Sequence, residues 1–168
     1  MNAALDWISS PSGALAGELD FPGDKSVSHR AVMLAAIAEG TSRIRGFLEG
    51  ADTRATVAIF EQLGVLVEAP APGERIVHGV GLQGLRAPAS ELDCGNAGTA
   101  IRLLAGLLAG QHFDCVLSGD ASLSRRPMRR VIEPLSQLGA RIEADVGDVP
   151  PLRIRGSALR GMEYTTPV

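Results

Sequence analysis

The sequence has 168 residues, of which 45% are hydrophobic and 21% are charged, and its formal net charge is −3 at pH 7. This length and composition predict a globular chain with a sizeable hydrophobic core rather than a disordered one. The small negative charge argues against binding to nucleic acid, and no apolar run approaches the roughly 20 residues that a membrane-spanning helix needs.

The first half of the chain alternates strand and helix patterns. Residues 1–14 contain several Ser, Pro and Gly and predict an irregular lead-in. A strand is predicted over 15–21, and a helix over 27–39 ends at Gly40, a residue typical of that position. The same reasoning predicts the other elements of this half. They are a strand over 41–48, a helix over 51–64, and strands over 65–68 and 75–80.

The second half repeats this order of elements. Glu-Leu-Asp at 18–20 recurs at 91–93, and Gln-Leu-Gly at 62–64 recurs at 137–139. A period of this size exceeds that of solenoid repeats and predicts two duplicated βαβαββ units on a common core, a mixed α/β (α+β) fold. The second unit is predicted as strands over 91–94, 113–118, 140–144 and 152–155, and helices over 99–109 and 127–138.

The loop before the first helix predicts an anion-binding site. A helix N-terminus favours anions because its first backbone N–H groups lack partners and its dipole is positive there. Asp24 is a capping residue, and Lys25 adds a point charge from the loop. Ser26 and Arg30 are four residues apart and share one helix face. We therefore predict a site for a small ligand that carries phosphate or carboxylate groups.

The loop at 95–102 matches the loop at 23–30 in three features. Each begins with glycine, has a capping residue second (here Asn96) and ends with arginine in the eighth position. Repeat-related packing would bring both helix starts to the same end of the domain. Gly98 lacks a Cβ and allows a ligand to approach the backbone, and Thr99 offers a hydroxyl donor. The second loop is therefore predicted to complete the site.

A third charged loop precedes Pro127, which is expected in the first turn of a helix. Arg126 next to it gains little from the helix dipole, so its position is explained best if it grips an anion bidentately. The neighbouring arginines have an alternative interpretation as a solvated basic face or an RNA-facing patch. They are Arg125, Arg129 and Arg130.

The two cysteines and three histidines do not predict a metal or cofactor. Cys94 and Cys115 lie among apolar residues and are interpreted as buried, reduced thiols, as is typical of cytosolic proteins. The N-terminus lacks the basic and apolar regions of a secretory signal, so a cytoplasmic location is expected. The histidines are scattered without paired metal-binding spacing.

These motifs together resemble the three N-terminal signatures of the 5-enolpyruvylshikimate-3-phosphate (EPSP) synthase family. The matching segments are 19–30, 93–102 and 119–128, and the resemblance covers essentially the whole chain. Family members have two globular domains of three βαβαββ units each, so about two of the three units of one domain are expected here. The resulting ranges are a lead-in over 1–20 that pairs with the absent second domain, units over 21–90 and 91–161, and the start of a truncated third unit over 162–168.

The resemblance implies transfer of the enolpyruvyl group of phosphoenolpyruvate to the 5-hydroxyl of shikimate 3-phosphate, with release of phosphate. Both substrates are polyanions, so the site needs Lys and Arg to hold them together. By resemblance, Lys25 contacts both substrates, Ser26 and Arg30 hold shikimate 3-phosphate, and Gly98 and Arg126 hold phosphoenolpyruvate. The residues implied to support the second loop are Asn96, Thr99 and Arg102.

The resemblance also implies limits on this chain. The sequence does not identify the acid and base residues, which are expected mostly in the missing C-terminal portion. That portion is also the one macromolecular partner expected. The 168 residues alone are therefore expected to show weak or no turnover. Residues 23–25 resemble glyphosate-tolerant members, whereas Gly98 resembles sensitive ones, so the response to that inhibitor stays open.

Three alternative functions differ in how well the residues fit them. The sister UDP-N-acetylglucosamine enolpyruvyl transferase usually has a reactive Cys where this chain has Ala121, and an Asn where it has Ser26. A P-loop requires Gly immediately before Lys, and Asp24 intervenes here. A non-catalytic module that binds polyanions or a partner chain remains open for a chain of this length.

Overall fold

The first half of the chain packs two helices with a three-stranded antiparallel sheet. The computed structural model describes residues 8–11, 13–14, 16–19 and 21–165. Its first elements are α1 (Lys25–Ile37), β1 (Glu39–Arg45), α2 (Ala51–Gln62), β2 (Leu66–Glu68) and β3 (Glu74–Val80). The strand order is β1-β3-β2, and Thr41 of β1 lies opposite His78 of β3. Helix α1 packs on both β3 and α2.

The second half pairs two further helices with a four-stranded sheet. Its elements are β4 (Leu92–Asp93), α3 (Gly98–Ala109), β5 (Cys115–Ser118), a 3₁₀ turn (Leu123–Arg125), α4 (Arg129–Gln137), β6 (Arg141–Asp145) and β7 (Val149–Arg155). The strand order is β4-β5-β7-β6, with β4 parallel to β5 and the other pairs antiparallel. The predicted α+β class is confirmed. None of the helices within the described ranges is long and apolar enough to cross a membrane.

Matching backbone geometry shows the repeat. Gly64 follows α2 with φ 91°, and Gly139, 75 residues later, follows α4 with φ 93°. The residue after each glycine donates its N–H to the carbonyl five residues earlier at 2.9 Å. The backbone N–H groups of Arg86 and Arg160 donate to the carbonyls of Leu63 and Leu138, the residues before each glycine, at 2.8 and 2.9 Å. The two halves therefore use the same turn, which needs glycine because φ is positive.

The core joins the two halves through their helices. Val32 of α1, Phe60 of α2 and Leu104 of α3 are fully buried, as is Leu152 of β7. At about 25 cal/mol per Å² of apolar area removed from water, such burial is the main favourable contribution to folding. The helices that carry the glycine loops are therefore held by packing against this core.

Both cysteines are buried and free, as predicted. Burial raises the pKa of the Cys94 thiol to about 12, with a further contribution from the neighbouring Asp93 carboxylate. Burial likewise raises the pKa of the Cys115 thiol to about 11, with Asp114 adding to the effect. Neither thiol is therefore a nucleophile at neutral pH.

The strand predicted over 15–21 is not found. The described residues there, 16–19 and 21, belong to no strand, and Leu19 and Phe21 are exposed. A strand needs a neighbouring strand to pair its backbone groups, and the described residues here have none. In the second half, β4 stands at the matching position of the repeat and pairs with β5. The rest of the predicted lead-in over 1–20 lies partly outside the described residues.

Several other boundaries differ from the predictions. Helix α1 ends at Ile37 instead of residue 39, and Gly40 lies inside β1 instead of closing the helix. The C-cap is Ala38, whose N–H donates to the Leu34 carbonyl, and β1 ends at Arg45 instead of residue 48.

Helix α4 begins at Arg129 instead of Pro127. Met128 (φ −108°, ψ 4°) is its N-cap, and the Met128 N–H donates to the carbonyl of Asp148 at 2.7 Å. Residues 162–165, predicted to begin a third unit, form no strand, and 166–168 lie outside the described residues.

Candidate functional site

One cleft between the N-terminal ends of α1 and α3 contains most of the predicted site residues. Its volume is about 300 Å³. Both repeat-related loops reach it, as the alignment of the two glycine loops predicts. The residues that line the cleft are Lys25, His29, Asp52, Asn96, Ala97, Gly98, Thr99, Arg102 and Arg126.

A larger cavity of about 390 Å³ is lined by residues of β5, β6 and β7 and does not offer the same chemistry. Two of its charged residues, Glu143 and Arg155, already pair with each other at 3.3 Å. Cys115, which also lines it, is a thiol whose pKa is raised by burial. The cleft at the helix N-termini is therefore the better candidate for binding an anion.

The α1 side of the cleft presents an ion pair. Lys25 Nζ lies 2.8 Å from Asp52 Oδ2, and the two side chains are 54% and 19% exposed. Asp24 caps the helix as predicted: its carboxylate accepts a hydrogen bond from the Val27 N–H at 2.7 Å. The capping carboxylate thus already uses one of the free N–H groups of α1. The ammonium of Lys25 is the positively charged side chain that this side offers to an anion.

Ser26 and Arg30 do not line the cleft. Ser26 is half-buried and Arg30 is exposed, and neither side chain has a hydrogen bond or ion pair to another described residue. The reason is helical geometry: Lys25 and His29 share the face that lines the cleft, and the next residues are rotated by about 100°. Arg30 and Arg102 occupy the same position in the two aligned loops, but only the Arg102 side chain lines the cleft.

The α3 side converges on Gly98, the first residue of that helix. No side chain caps the start of α3. Arg102 Nη1 donates to the Gly98 carbonyl at 2.7 Å. A Cβ at position 98 would lie 2.9 Å from Arg102 Nη1 and 3.0 Å from Arg126 Nη1. The missing side chain therefore lets two guanidinium groups approach the same helix start.

Asn96 does not cap α3 as the sequence predicts; it links the second and third loops instead. Its Nδ2 donates to Asp120 Oδ2 at 2.8 Å, and its Oδ1 accepts from Arg126 Nη2 at 2.5 Å. Asp120 also accepts from the backbone N–H groups of Ser122 and Leu123. The hydrogen bond from Asn96, followed by the one from Leu123, lowers the pKa of the Asp120 carboxyl. Asp120 therefore stays ionised and orients the amide that holds Arg126.

The sequence reasoning missed three cleft residues, Ala97 and the two with polar side chains, His29 and Asp52. Each of the two polar residues had a usable indication: His29 is four residues after Lys25 on the same helix face, and Asp52 is an acidic residue in the first turn of α2. His29 is 1% exposed, and its Nδ1 lies 2.7 Å from Oγ1 of Thr56. Desolvation lowers the pKa of His29 below 6.5; Asp52 opposes this and Lys25 adds to it. The imidazole is therefore neutral at pH 7.

The charged side chains that line the cleft suit one or more small molecules that carry several anionic groups. Three cations (Lys25, Arg102 and Arg126) line it from two sides, whereas Asp52 is the one acid among the lining residues. In partly water-excluded surroundings, fixed cations attract phosphate and carboxylate groups more strongly than in bulk water. No cluster of His, Cys, Asp or Glu that suits a metal ion is found among the described residues.

Comparison with known proteins agrees with this chemistry. The family model described as EPSP synthase (3-phosphoshikimate 1-carboxyvinyltransferase) matches residues 9–168. The chain belongs to the EPSP synthase family. Its relatives in Xanthomonas campestris pv. campestris (strain B100) and Xanthomonas axonopodis pv. citri (strain 306) are named 3-phosphoshikimate 1-carboxyvinyltransferase, a transferase. They are 62% identical over 168 residues and 63% identical over 163 residues, which is 99% and 96% of this chain.

The structural comparison shows the same relationship. An EPSP synthase structure from Acinetobacter baumannii matches 88% of this chain with a TM-score of 0.84 and 52% sequence identity. The chain covers 34% of that structure, and 38% and 37% of the two Xanthomonas relatives. It thus spans well under half of the length of these EPSP synthases. The family match does not support the sister UDP-N-acetylglucosamine enolpyruvyl transferase.

Proposed function

We propose that this chain is the N-terminal part of an enzyme that transfers the enolpyruvyl group of phosphoenolpyruvate to the 5-hydroxyl of shikimate 3-phosphate, with release of phosphate. The observation that carries this proposal is the convergence of Lys25, Arg102 and Arg126 on one cleft between two repeat-related helix starts. Both proposed substrates are polyanions, and their mutual repulsion requires such a set of cations.

The proposed roles follow the geometry of the cleft. Lys25 contacts both substrates from the α1 side. Arg126, oriented by Asn96, grips phosphoenolpyruvate together with the open backbone at Gly98. Thr99 and Arg102 support the α3 side, where Arg102 is fixed to the Gly98 carbonyl. These contacts concern binding and orientation, and the acid and base are proposed to come from the remainder of the enzyme.

Ser26 and Arg30 are proposed to contact shikimate 3-phosphate from the α1 face beside the cleft. Their side chains are not engaged by other described residues, so both are available to a ligand that extends past Lys25. A serine hydroxyl and a guanidinium suit the carboxylate or phosphate of this substrate. In this arrangement shikimate 3-phosphate lies along α1 and phosphoenolpyruvate lies against α3.

The remaining part of the enzyme is the proposed partner of this chain. The relatives are more than twice as long, and Val27 and Leu34 on α1 are more than half exposed here. We propose that units over 21–90 and 91–161 form two of the three units of one domain, and that residues 1–20 pair with the second domain. Two buried, free thiols are consistent with the proposed cytoplasmic location.

The test joins residues 1–168 to the remaining length of the Xanthomonas campestris relative. Phosphate release that depends on both substrates is expected from the joined protein, and little or none from the 168-residue chain alone. Replacement of Lys25 by Met should abolish turnover, whereas Arg153→Met on β7 serves as the control. An inactive joined protein that is folded would contradict the proposed function.

Calorimetry separates a half-site from a general polyanion binder. A half-site binds shikimate 3-phosphate weakly in the 168-residue chain and gains affinity in the joined protein. A polyanion-binding module would show equal affinity for inorganic phosphate and shikimate 3-phosphate in both proteins, and that result would favour the non-catalytic alternative.

A further inference from the structure

His29 connects the two helices that form one side of the cleft. Its Nδ1 lies 2.7 Å from Oγ1 of Thr56 on α2, and Lys25 Nζ lies 2.8 Å from Asp52 Oδ2. Lys25 and His29 are four residues apart on α1, and Asp52 and Thr56 are four apart on α2. The two contacts are therefore consecutive links, one turn apart, between the same two helix faces.

The inner link is buried and the outer link is not. His29 and Thr56 are 1% and 0% exposed, whereas the Lys25 side chain is 54% exposed. An exposed ion pair contributes only about 0–1 kcal/mol and does not fix a long side chain by itself. A buried hydrogen bond is stronger in its low-dielectric surroundings and costly to break. The inner link therefore sets the spacing at which the outer ion pair forms.

The imidazole acts through Nδ1 and not through Nε2. Nε2 of His29 is sealed from solvent and has no hydrogen-bond partner among the described residues. A ligand in the cleft does not reach an atom that a water molecule cannot touch. Direct contact between His29 and a substrate is thus disfavoured, although the residue borders the cleft.

We propose that His29 is a positioning residue: through its hydrogen bond to Thr56 it holds α1 against α2 so that the Lys25–Asp52 pair stands at the edge of the cleft. The consequence for catalysis rests on the function proposed above. The structural part of the inference, that His29 and Thr56 fix the Lys25–Asp52 pair, does not depend on it.

Two substitutions distinguish the two nitrogens of the ring. His29→Asn keeps a polar atom at the position of Nδ1 and removes the rest, whereas His29→Gln keeps one near Nε2 and removes Nδ1. Thr56→Val removes the hydroxyl and keeps the shape of the side chain. His78→Asn, on the exposed histidine of β3 that pairs with Glu68, is the matched control.

The first measurement does not use activity. Lys25 is the only lysine in the sequence, so ¹³C-lysine labelling of the 168-residue chain gives one lysine side-chain signal by NMR. Asp52→Asn gives the signal of the unpaired ammonium. We expect His29→Gln and Thr56→Val to move the signal toward that position, and His29→Asn and His78→Asn to leave it in place.

The second measurement is steady-state kinetics in the joined protein. A displacement of about 1 Å at a reacting group costs up to about a hundredfold in rate, so His29→Gln and Thr56→Val should lower kcat/KM at least about tenfold. The loss should appear as a higher KM for both substrates, since Lys25 is proposed to contact both. His29→Asn should stay within about threefold of the unsubstituted enzyme.

Several outcomes overturn the proposal. Full activity of His29→Gln with loss in His29→Asn would show that Nε2 contacts the substrate directly. An unchanged Lys25 signal in both His29→Gln and Thr56→Val, with folding checked by urea unfolding, would show that the inner link does not control the outer pair. An inactive unsubstituted joined protein contradicts the proposed function alone, because the lysine signal still decides the positioning role.

Discussion

Arg126 and Asn96 are joined by a hydrogen bond of 2.5 Å from the guanidinium Nη2 to the amide Oδ1. Hydrogen bonds to charged groups contribute about 1.5–3 kcal/mol. The contact from the same Nη2 to Ser122 Oγ is longer, at 3.3 Å, so Asn96 holds the guanidinium more firmly than Ser122 does. The second loop of the repeat thereby controls the cation of the third loop.

Asn96→Ala is predicted to weaken the binding of phosphoenolpyruvate. Loss of a hydrogen bond worth about 1.5–3 kcal/mol corresponds to roughly a tenfold to hundredfold higher KM if that energy is expressed fully in binding. The measurement is the KM for phosphoenolpyruvate in the joined protein, with Gln137→Ala at the exposed end of α4 as the control. An unchanged KM would show that Arg126 holds its position without Asn96.

Gly98→Ala is predicted to displace the two cations and not to unfold the protein. The added methyl would lie 2.9 Å from Arg102 Nη1 and 3.0 Å from Arg126 Nη1, and both are ends of flexible side chains that can move. Affinity for phosphoenolpyruvate should fall about tenfold or more. The control is Gly106→Ala on the same helix, where the methyl meets only Leu135 Cδ2 at 3.9 Å. A loss in both variants would argue against the role of position 98.

Gly79→Ala is predicted to destabilise the fold. A methyl there would lie 2.2 Å from the carbonyl oxygen of Ala38 and 2.4 Å from that of Ala35, and backbone atoms cannot move aside cheaply. Overpacking of this kind costs about 1–3 kcal/mol, which urea unfolding measures. Gly161→Ala, where nothing lies within 4 Å, should change stability little. Equal stabilities of the two variants would contradict the packing of β3 on α1.

The repeat extends this prediction to the second half. Gly156→Ala would place a methyl 2.3 Å from the carbonyl oxygen of Gln111 and 2.5 Å from that of Phe113. A loss of stability similar to that of Gly79→Ala is expected, because the two glycines have matching surroundings. Gly79 in β3 lies against the C-terminal end of α1, and Gly156, just after β7, lies against the chain that leaves α3.

Stability is predicted to decline as the pH falls below about 6.5, in part because of His29. Desolvation lowers the folded-state pKa of His29; the Asp52 carboxylate opposes this shift and the Lys25 ammonium adds to it. Below pH 6.5 the unfolded state therefore binds the proton more readily than the folded state does. The stability that neutral His29 contributes is fully present above the pKa of the unfolded state. It is lost as the pH falls toward the lower pKa of the folded state. Urea unfolding at about pH 7.5 and pH 5.5 should show a smaller drop for His29→Asn. Identical drops would contradict a neutral, buried His29.

Cys94 and Cys115 are predicted to resist alkylation in the folded protein. With thiol pKa values raised to about 12 and about 11, almost no thiolate forms at pH 8, and both side chains are buried. Iodoacetamide labelling followed by mass spectrometry should modify neither thiol until urea unfolds the chain. Rapid labelling of either cysteine in the native protein would contradict its burial.

The fold class and the repeat followed from the sequence, which also predicted most of the residues that line the candidate cleft. Hydrophobic periodicity and glycine positions are local properties, so the helices and most strands lie close to the predicted ranges, and the two glycine loops meet at one cleft. The motifs also identified Lys25, Gly98 and Arg126, because their residue types directly reflect anion-binding chemistry.

The directions and contacts of the side chains depend on how the elements pack, and the sequence did not predict them. Asn96 has the spacing of a helix cap, yet it links Asp120 to Arg126, since the third loop packs against it. Arg30 and Arg102 match in the repeat, but α1 presents His29 and not Arg30 to the cleft. The contact between His29 and Thr56 spans 27 residues, and no local pattern encodes a pairing that depends on how two helices pack.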